Sequence, residues 1–372
     1  MKTFLRFMAI GLGVAALLVV GGTYGASYYY TSQYGQGCAS CHEMAAYVSA
    51  VHSAPHRTTG CMDCHEASMA TKLRHMRIHI FGTVPETIRL RDVDVLAMTP
   101  SCQKCHQHEY SNWHAGPHSA TYSQIFADPV HNSKRILMDD CLRCHGMYFN
   151  GSIREVVEPL NMKGPWRVIR SGFADQPAMP CMTCHQMHRE GAQETKPASR
   201  ISLAGAAVPD SLAFYDRRET LHFTAAALSI PQLQDEARVV RVSQDPRQAL
   251  CYQCHAPREP EAGSVAATNA WGPQVGSGDD RTPIGVHEGI SCVACHDGHN
   301  ENTRASCKTC HPQMSNCGID VEKMDTTFAN SNSAHNIHRV KCTDCHQHGI
   351  PKVKAVAAVK AKLQTTPGMS GF

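Results

Sequence analysis

Hydrophobic positions are spread very unevenly along this chain. Between Phe4 and Gly22 apolar residues run almost without a break, and Arg6 is the only charge among them. With the flank from Thr23 to Ala26, about 20 residues are apolar enough to cross a bilayer as one helix. Lys2 and Arg6 lie on its N-terminal side, and Tyr24, Tyr28, Tyr29, Tyr30 and Tyr34 follow it. Cations on one side and an aromatic belt on the other predict a retained single-pass anchor over residues 1–30, its N-terminus in the cytoplasm. A signal peptide cut after Gly22, with Val20 at −3, is the alternative.

Past residue 30 no long apolar period returns. Arg189 to Ser202 is polar and contains Pro and Gly, a plausible linker; Asn269 to Thr282 is a Gly/Asp/Ser-rich loop. Gln232 to Ala249 reads as helix. Lys352, Lys354, Lys360 and Lys362 surround an Ala/Val-rich run, either a short docking helix or a frayed end. The expectation is a mostly α fold with long loops and little or no sheet. Its regions are the anchor at 1–30, then 31–100, 101–200, 201–350 and a basic tail at 351–372.

Only 6% of residues are aromatic, which is thin for a core serving 372 residues. The formal net charge is +3, and no basic stripe with interleaved aromatics suggests nucleic acid. Cysteine changes the picture. Eighteen of nineteen cysteines fall in nine Cys-x-x-Cys-His copies. The first five are Cys38, Cys41 and His42; Cys61, Cys64 and His65; Cys102, Cys105 and His106; Cys141, Cys144 and His145; and Cys181, Cys184 and His185. The last four are Cys251, Cys254 and His255; Cys292, Cys295 and His296; Cys307, Cys310 and His311; and Cys342, Cys345 and His346.

This is the c-type haem attachment pattern. Thiols at i and i+3 share a helical face and can add to two haem vinyl groups, and the adjacent His faces the iron. CxxC alone also suits a zinc ribbon, a redox dithiol or a disulfide. With His at 24 of 372 residues, nine histidines in register by composition alone would have a probability of about 10⁻¹¹. The expectation is nine covalently attached haem c groups, which supply the flat apolar surface the aromatics do not and make folding inseparable from haem binding. Attachment of haem c takes place outside the cytoplasm, so the haem-bearing part belongs in the periplasm of a bacterial inner-membrane protein. Cys317 is left over and reads as a buried, unreactive thiol.

The stretch "CASCHEM…HSAPHRTTGCMDCH…KLRHMRIHIFGT" after an anchor resembles the membrane-anchored quinol dehydrogenases of the NapC/NirT/NrfH family over residues 1–105. That resemblance implies quinol oxidation at the membrane surface near the first haem. It also implies Met44, rather than His42, as a ligand there, with a raised potential. Lys72, Arg74, Arg77 and Asp63 are candidates for the acid/base or cationic group such oxidation needs. The family usually has four haems, so nine is a departure. "CQKCHQHEYSNWHAGPHSATY" resembles the octahaem and tetrahaem cytochromes of the hydroxylamine oxidoreductase-like group, in which a distal His follows a Trp; Trp113 with His114 or His118 fits.

Fifteen histidines lie outside the motifs, enough to give every iron a second ligand. The distal candidates are His52, His56, His75, His79, His114, His118, His131, His188, His222, His287, His299, His335 and His338, with Met44 at the first haem. His108 and His348, two residues past motif histidines, have a less certain reach. The leading expectation is an electron-transfer protein carrying electrons from quinol to a periplasmic reductase, a soluble cytochrome or an outer-membrane conduit. The alternative is an enzyme acting on a small nitrogen or sulfur compound at one open-site haem. The sequence leans away from an enzyme, since no CxxCK pair occurs.

Overall fold

The computed structural model describes residues 2–188 apart from 32, 67, 86, 87 and 89, residues 211–255 apart from 229, 231, 236 and 237, and residues 266–268, 282–299, 337–339, 341 and 348. Several expected site residues lie outside the described residues. They are Cys307, Cys310 and His311 of the eighth motif, Cys342, Cys345 and His346 of the ninth, and the distal candidate His335. Cys317 and the basic tail lie outside them too.

The chain is mostly helical with little sheet. It opens with α1, Lys2–Thr31. At 1.5 Å per residue its apolar part, Thr3–Tyr29, is about 40 Å long, more than the roughly 30 Å of a bilayer's hydrocarbon core. Apolar side chains project on all sides and none of this span is buried; Leu17 and Leu18 are 73% and 71% exposed. A soluble surface helix would have one apolar stripe only. A 3₁₀ turn, Gln33–Ser40, follows at once and carries Cys38.

Short helices come next: α2 (Ala45–His52), α3 (Cys61–Cys64), α4 (Met69–Phe81), α5 (Asp92–Gln103), α6 (Gln107–Ala115), α7 (Tyr122–Phe126), α8 (Pro129–Asn132), α9 (Leu142–His145) and α10 (Ser171–Ala174). Their starts are written locally. Ser68 Oγ accepts from Thr71 N at α4, Thr121 and Gln124 form a reciprocal capping box at α7, and Asp128 caps α8 ahead of Pro129.

Sheet is confined to small antiparallel pieces. β1 (Val157–Glu158) pairs with β2 (Arg167–Val168), and β3 (Ala213–Asp216) with β4 (Leu221–Thr224), placing Phe214 opposite Phe223 and Tyr215 opposite His222. β5 (Gln232–Asp235) lies between β6 (Arg238–Val240) and β7 (Ala266–Thr268). The expected helix over Gln232 to Ala249 is therefore a hairpin followed by a short helix, α11 (Pro246–Cys251). Leu233 and Val240, seven residues apart, would share a face of a helix as well; here they pair across the hairpin, and both are buried. Asp245 and Pro246 start the helix late: the Asp245 carboxylate accepts from Arg247 N, and Pro is favoured at the first helical position. The last described helix is α12 (Cys292–Cys295).

The few aromatics are concentrated rather than scattered. Tyr122, Phe126, Phe149 and Phe173 meet edge to face or tilted, and Tyr148 stacks on Tyr215 with centroids 4.1 Å apart. They belong to one core running from Val95 to Tyr252, so residues on both sides of 200 share it. Arg217 ties the β3–β4 turn to that core by donating to the carbonyls of Phe149 and Gly151.

Candidate functional site

Each described motif sits on a tight turn. In five of the seven, the motif His amide donates to the carbonyl of the first cysteine: His65 to Cys61, His106 to Cys102, His185 to Cys181, His255 to Cys251 and His296 to Cys292, at 2.8–3.1 Å. That bond closes one helical turn, which puts both thiols on one side with the imidazole next to them. The second cysteine tightens the turn in two of the first three motifs. Cys41 N donates to the Cys38 carbonyl and Cys105 N to the Cys102 carbonyl, each at 3.3 Å. Cys41 is half-buried and Cys105 exposed, so neither thiol is sealed off from a group that must reach it.

None of the fourteen described cysteines is in a disulfide. Among the described residues no three His, Cys, Asp or Glu side chains converge as a metal cage, so a zinc-ribbon arrangement is not formed there.

The histidines form couples. Ring centroids lie 6.1 Å apart for His42 and His79, 6.0 Å for His56 and His106, and 6.0 Å for His65 and His188. The distance is 6.2 Å for His118 and His255, 5.9 Å for His185 and His299, and 6.1 Å for His296 and His338. Every couple joins one motif His to one His from the distal pool. Two imidazoles on opposite sides of one metal, each nitrogen about 2 Å from it, hold their centroids about 6 Å apart. Chemistry and spacing both fit a haem iron between the rings in five of the six couples; between His42 and His79 a carboxylate, Glu43, takes that place.

Burial keeps several of these rings in the neutral, ligating form. His145 and His185 are each pushed down to about 4, first by burial and then by neighbouring imidazoles: His131 and His255 for the former, His299, His106 and His56 for the latter. Burial, and then His188, lowers His65 as well.

A comparison with known proteins gives no identification. No family model, curated protein or solved structure matches the chain. The residues alone carry the reading.

Six pool members, His56, His79, His118, His188, His299 and His338, are thus placed against motif rings. Of His114 and His118, His114 stacks on Tyr110, whereas His118 meets His255. His131 is the leading charged neighbour of His145, though their rings form no couple. His287 lies with its Nδ1 3.2 Å from the Ile337 carbonyl, beside His338. His52 and His75 form no ring couple with a described residue, and His108 lies against Asn112. His222, also in the pool, is buried on β4. Its Nε2 donates to the Met182 carbonyl at 2.8 Å, and Tyr148 Oη donates to the same oxygen at 3.0 Å. Met182 lies between the two cysteines of the fifth motif, so His222 holds that turn in place and only its buried Nδ1 is left over.

The first motif differs from the others. Glu43 Oε1 stands 3.1 Å from His42 Nε2 and 2.9 Å from His79 Nδ1, a carboxylate between the two rings. His42 is exposed, while Met44 is half-buried. Glu43 was not among the expected site residues; its place inside Cys-His-Glu-Met is the only sequence signal for it. Of the four cationic or acidic candidates near this motif, Lys72 reaches the membrane end. Its Nζ donates to Ser27 of α1 at 3.0 Å, and its charge acts on Cys38. Asp63 accepts from Gly60 N instead, capping α3.

Proposed function

We propose that the chain is a membrane-anchored multihaem cytochrome c that takes electrons from quinol and passes them along its haems. The acceptor is a periplasmic reductase, a soluble cytochrome or an outer-membrane conduit. The observation that carries this reading is the set of five His–His couples with nothing between their rings among the described residues, each pairing a motif ring with a distant ring at the spacing of two axial ligands. Haem c supplies a one-electron couple when attached, and its potential follows its axial ligands and surroundings. The chain's own part is to attach, orient and space. Thiol pairs on single turns would hold the edge of each group, and the imidazole couples would fill both open positions of its iron, leaving none for a substrate.

Two contacts support entry at the membrane. The first motif follows α1 within one 3₁₀ turn, and Lys72 links the helix after the second motif back to α1. A cation there can hold a quinol oxygen or the negative charge left as a proton departs. The test is reduction of the membrane-bound protein by a menaquinol analogue; absence of reduction on the timescale of turnover removes the quinol claim.

One observation favours the enzyme reading at a single place. Of the seven described motif histidines, His145 alone has no ring couple with a described residue, and its Nδ1 is buried without a partner among them. An iron there with an open position would give a stoichiometric high-spin resonance and bind nitrite or hydroxylamine when reduced. A purely low-spin spectrum leaves only the carrier reading.

A further inference from the structure

Thiols of different motifs lie near enough to act on one another, and the packing of the turns that carry them gives an order in space that differs from the order in sequence. Cys38 and Cys61 interact, joining the first and second motifs, and the 3₁₀ turn Gln33–Ser40 packs on α3. Cys64 and Cys102 join the second and third, with α3 packed on α5. From there the path skips the fourth. α5 packs on the turn Cys181–Thr183, and the thiols of Cys102 and of Cys181 of the fifth motif act on one another. Imidazoles repeat the link, since His185 feels both His106 and His56.

The fifth motif then meets the sixth, with Cys184 interacting with both Cys251 and Cys254. At the sixth motif two further contacts diverge. α11 packs on α12, and the thiols of Cys251 and of Cys292 of the seventh act on one another. Arg143 of the fourth motif and Gln253 of the sixth line one small hollow together, the thiols of Cys254 and Cys144 act on one another, and His145 feels His255.

We propose that the attachment sites form a branched array, running first, second, third, fifth, sixth, with Cys251–His255 as the junction from which the fourth and seventh sites diverge. This rests on the haem reading above. Electron tunnelling falls steeply with distance, so neighbours in space rather than in sequence decide the route. Among the seven described sites, an electron entering at the first reaches the fourth by way of the sixth. Within that set the fourth and the seventh are two ends served by one entry, and the distal ligand of the junction, His118, sets how electrons divide between them.

The test is an experimental structure of the haem-loaded protein in detergent or nanodiscs, from which iron–iron distances are read. The expected result is that the iron on His145 has the iron on His255 as its nearest neighbour, and that the irons on His106 and His185 are adjacent. An iron on His145 lying between those two, in a linear chain, overturns the proposal. A protein purified from a host able to mature c-type cytochromes yet carrying no covalent haem defeats the haem reading itself, a separate failure. A second measurement is a resonance-monitored potentiometric titration of His118→Met. Thioether ligation raises the potential of the sixth site. Its electrostatic effect then shifts the fourth, fifth and seventh sites and leaves the third unmoved; a shift at the third without one at the fourth contradicts the branch.

Discussion

The angle between the rings of each couple predicts the magnetic spectrum, and the third site gives the sharpest case. An imidazole ligand raises one of the two iron d orbitals that point along its π system. Two rings in one plane act on the same orbital and add; at right angles they act on both orbitals equally, and the splitting collapses. For equal rings the net splitting follows the cosine of the interplanar angle. His185 and His299 meet at 6° and His296 and His338 at 12°, so both keep about 0.98 of the maximum or more. His65 with His188 at 45° and His118 with His255 at 48° keep about 0.7. His56 and His106 meet at 81°, which leaves about 0.16. With haem attached as proposed, the third site would be the one low-spin iron among these with nearly degenerate orbitals and a highly anisotropic signal. Replacing its distal ring, His56→Ala, opens that iron. The oxidised protein's resonance spectrum then loses a highly anisotropic low-spin component and gains an equal amount of high-spin signal, with the rhombic signals of the fifth and seventh sites unchanged. A loss of rhombic signal instead, or no loss, refutes the pairing of His56 with His106.

Buried His222 makes the fold acid-sensitive. Burial lowers its pKa to about 4 from the ordinary 6.5, so the fold prefers the neutral ring. Its contribution is full above about pH 6.5 and is lost as pH falls toward 4, by roughly 2 kcal/mol between pH 7 and pH 5. Denaturant melts at the two pH values should show that loss, and His222→Gln should remove most of the pH dependence. Glu43→Gln takes a negative charge from between His42 and His79, and should raise the first site's potential by on the order of tens of millivolts in a potentiometric titration. Phe126 is 1% exposed in the aromatic core; Phe126→Ala should cost about 3–5 kcal/mol in a denaturant melt.

The motif turns were legible in sequence because they are local: two thiols and an imidazole within five residues write their own turn. The long apolar helix was legible for the same reason. The ring couples were not, because the second ring comes from far along the chain. His188 faces His65, and His56 lies upstream of the His106 it faces. No spacing rule reaches that far. His222 shows the converse: a lone histidine was counted among the ligands, and tertiary packing turned it to a backbone carbonyl. The hairpin at β5 and β6 was missed because Leu233 and Val240 are too few to display a strand period, and their burial depends on pairing. The aromatic core was hidden by composition, since a low overall count says nothing of Tyr122, Phe149 and Phe173 meeting at one point.

Electron entry, ligand couples and the branched order all depend on covalent haem at the Cys-x-x-Cys-His turns. The most direct measurement is the mass of the intact, acid-denatured protein from a host able to mature c-type cytochromes, together with its reduced pyridine haemochrome spectrum. The expected result is nine haem c groups per chain that survive extraction, one for each motif. A chain mass equal to the bare polypeptide, or one that binds zinc through these cysteines, contradicts it.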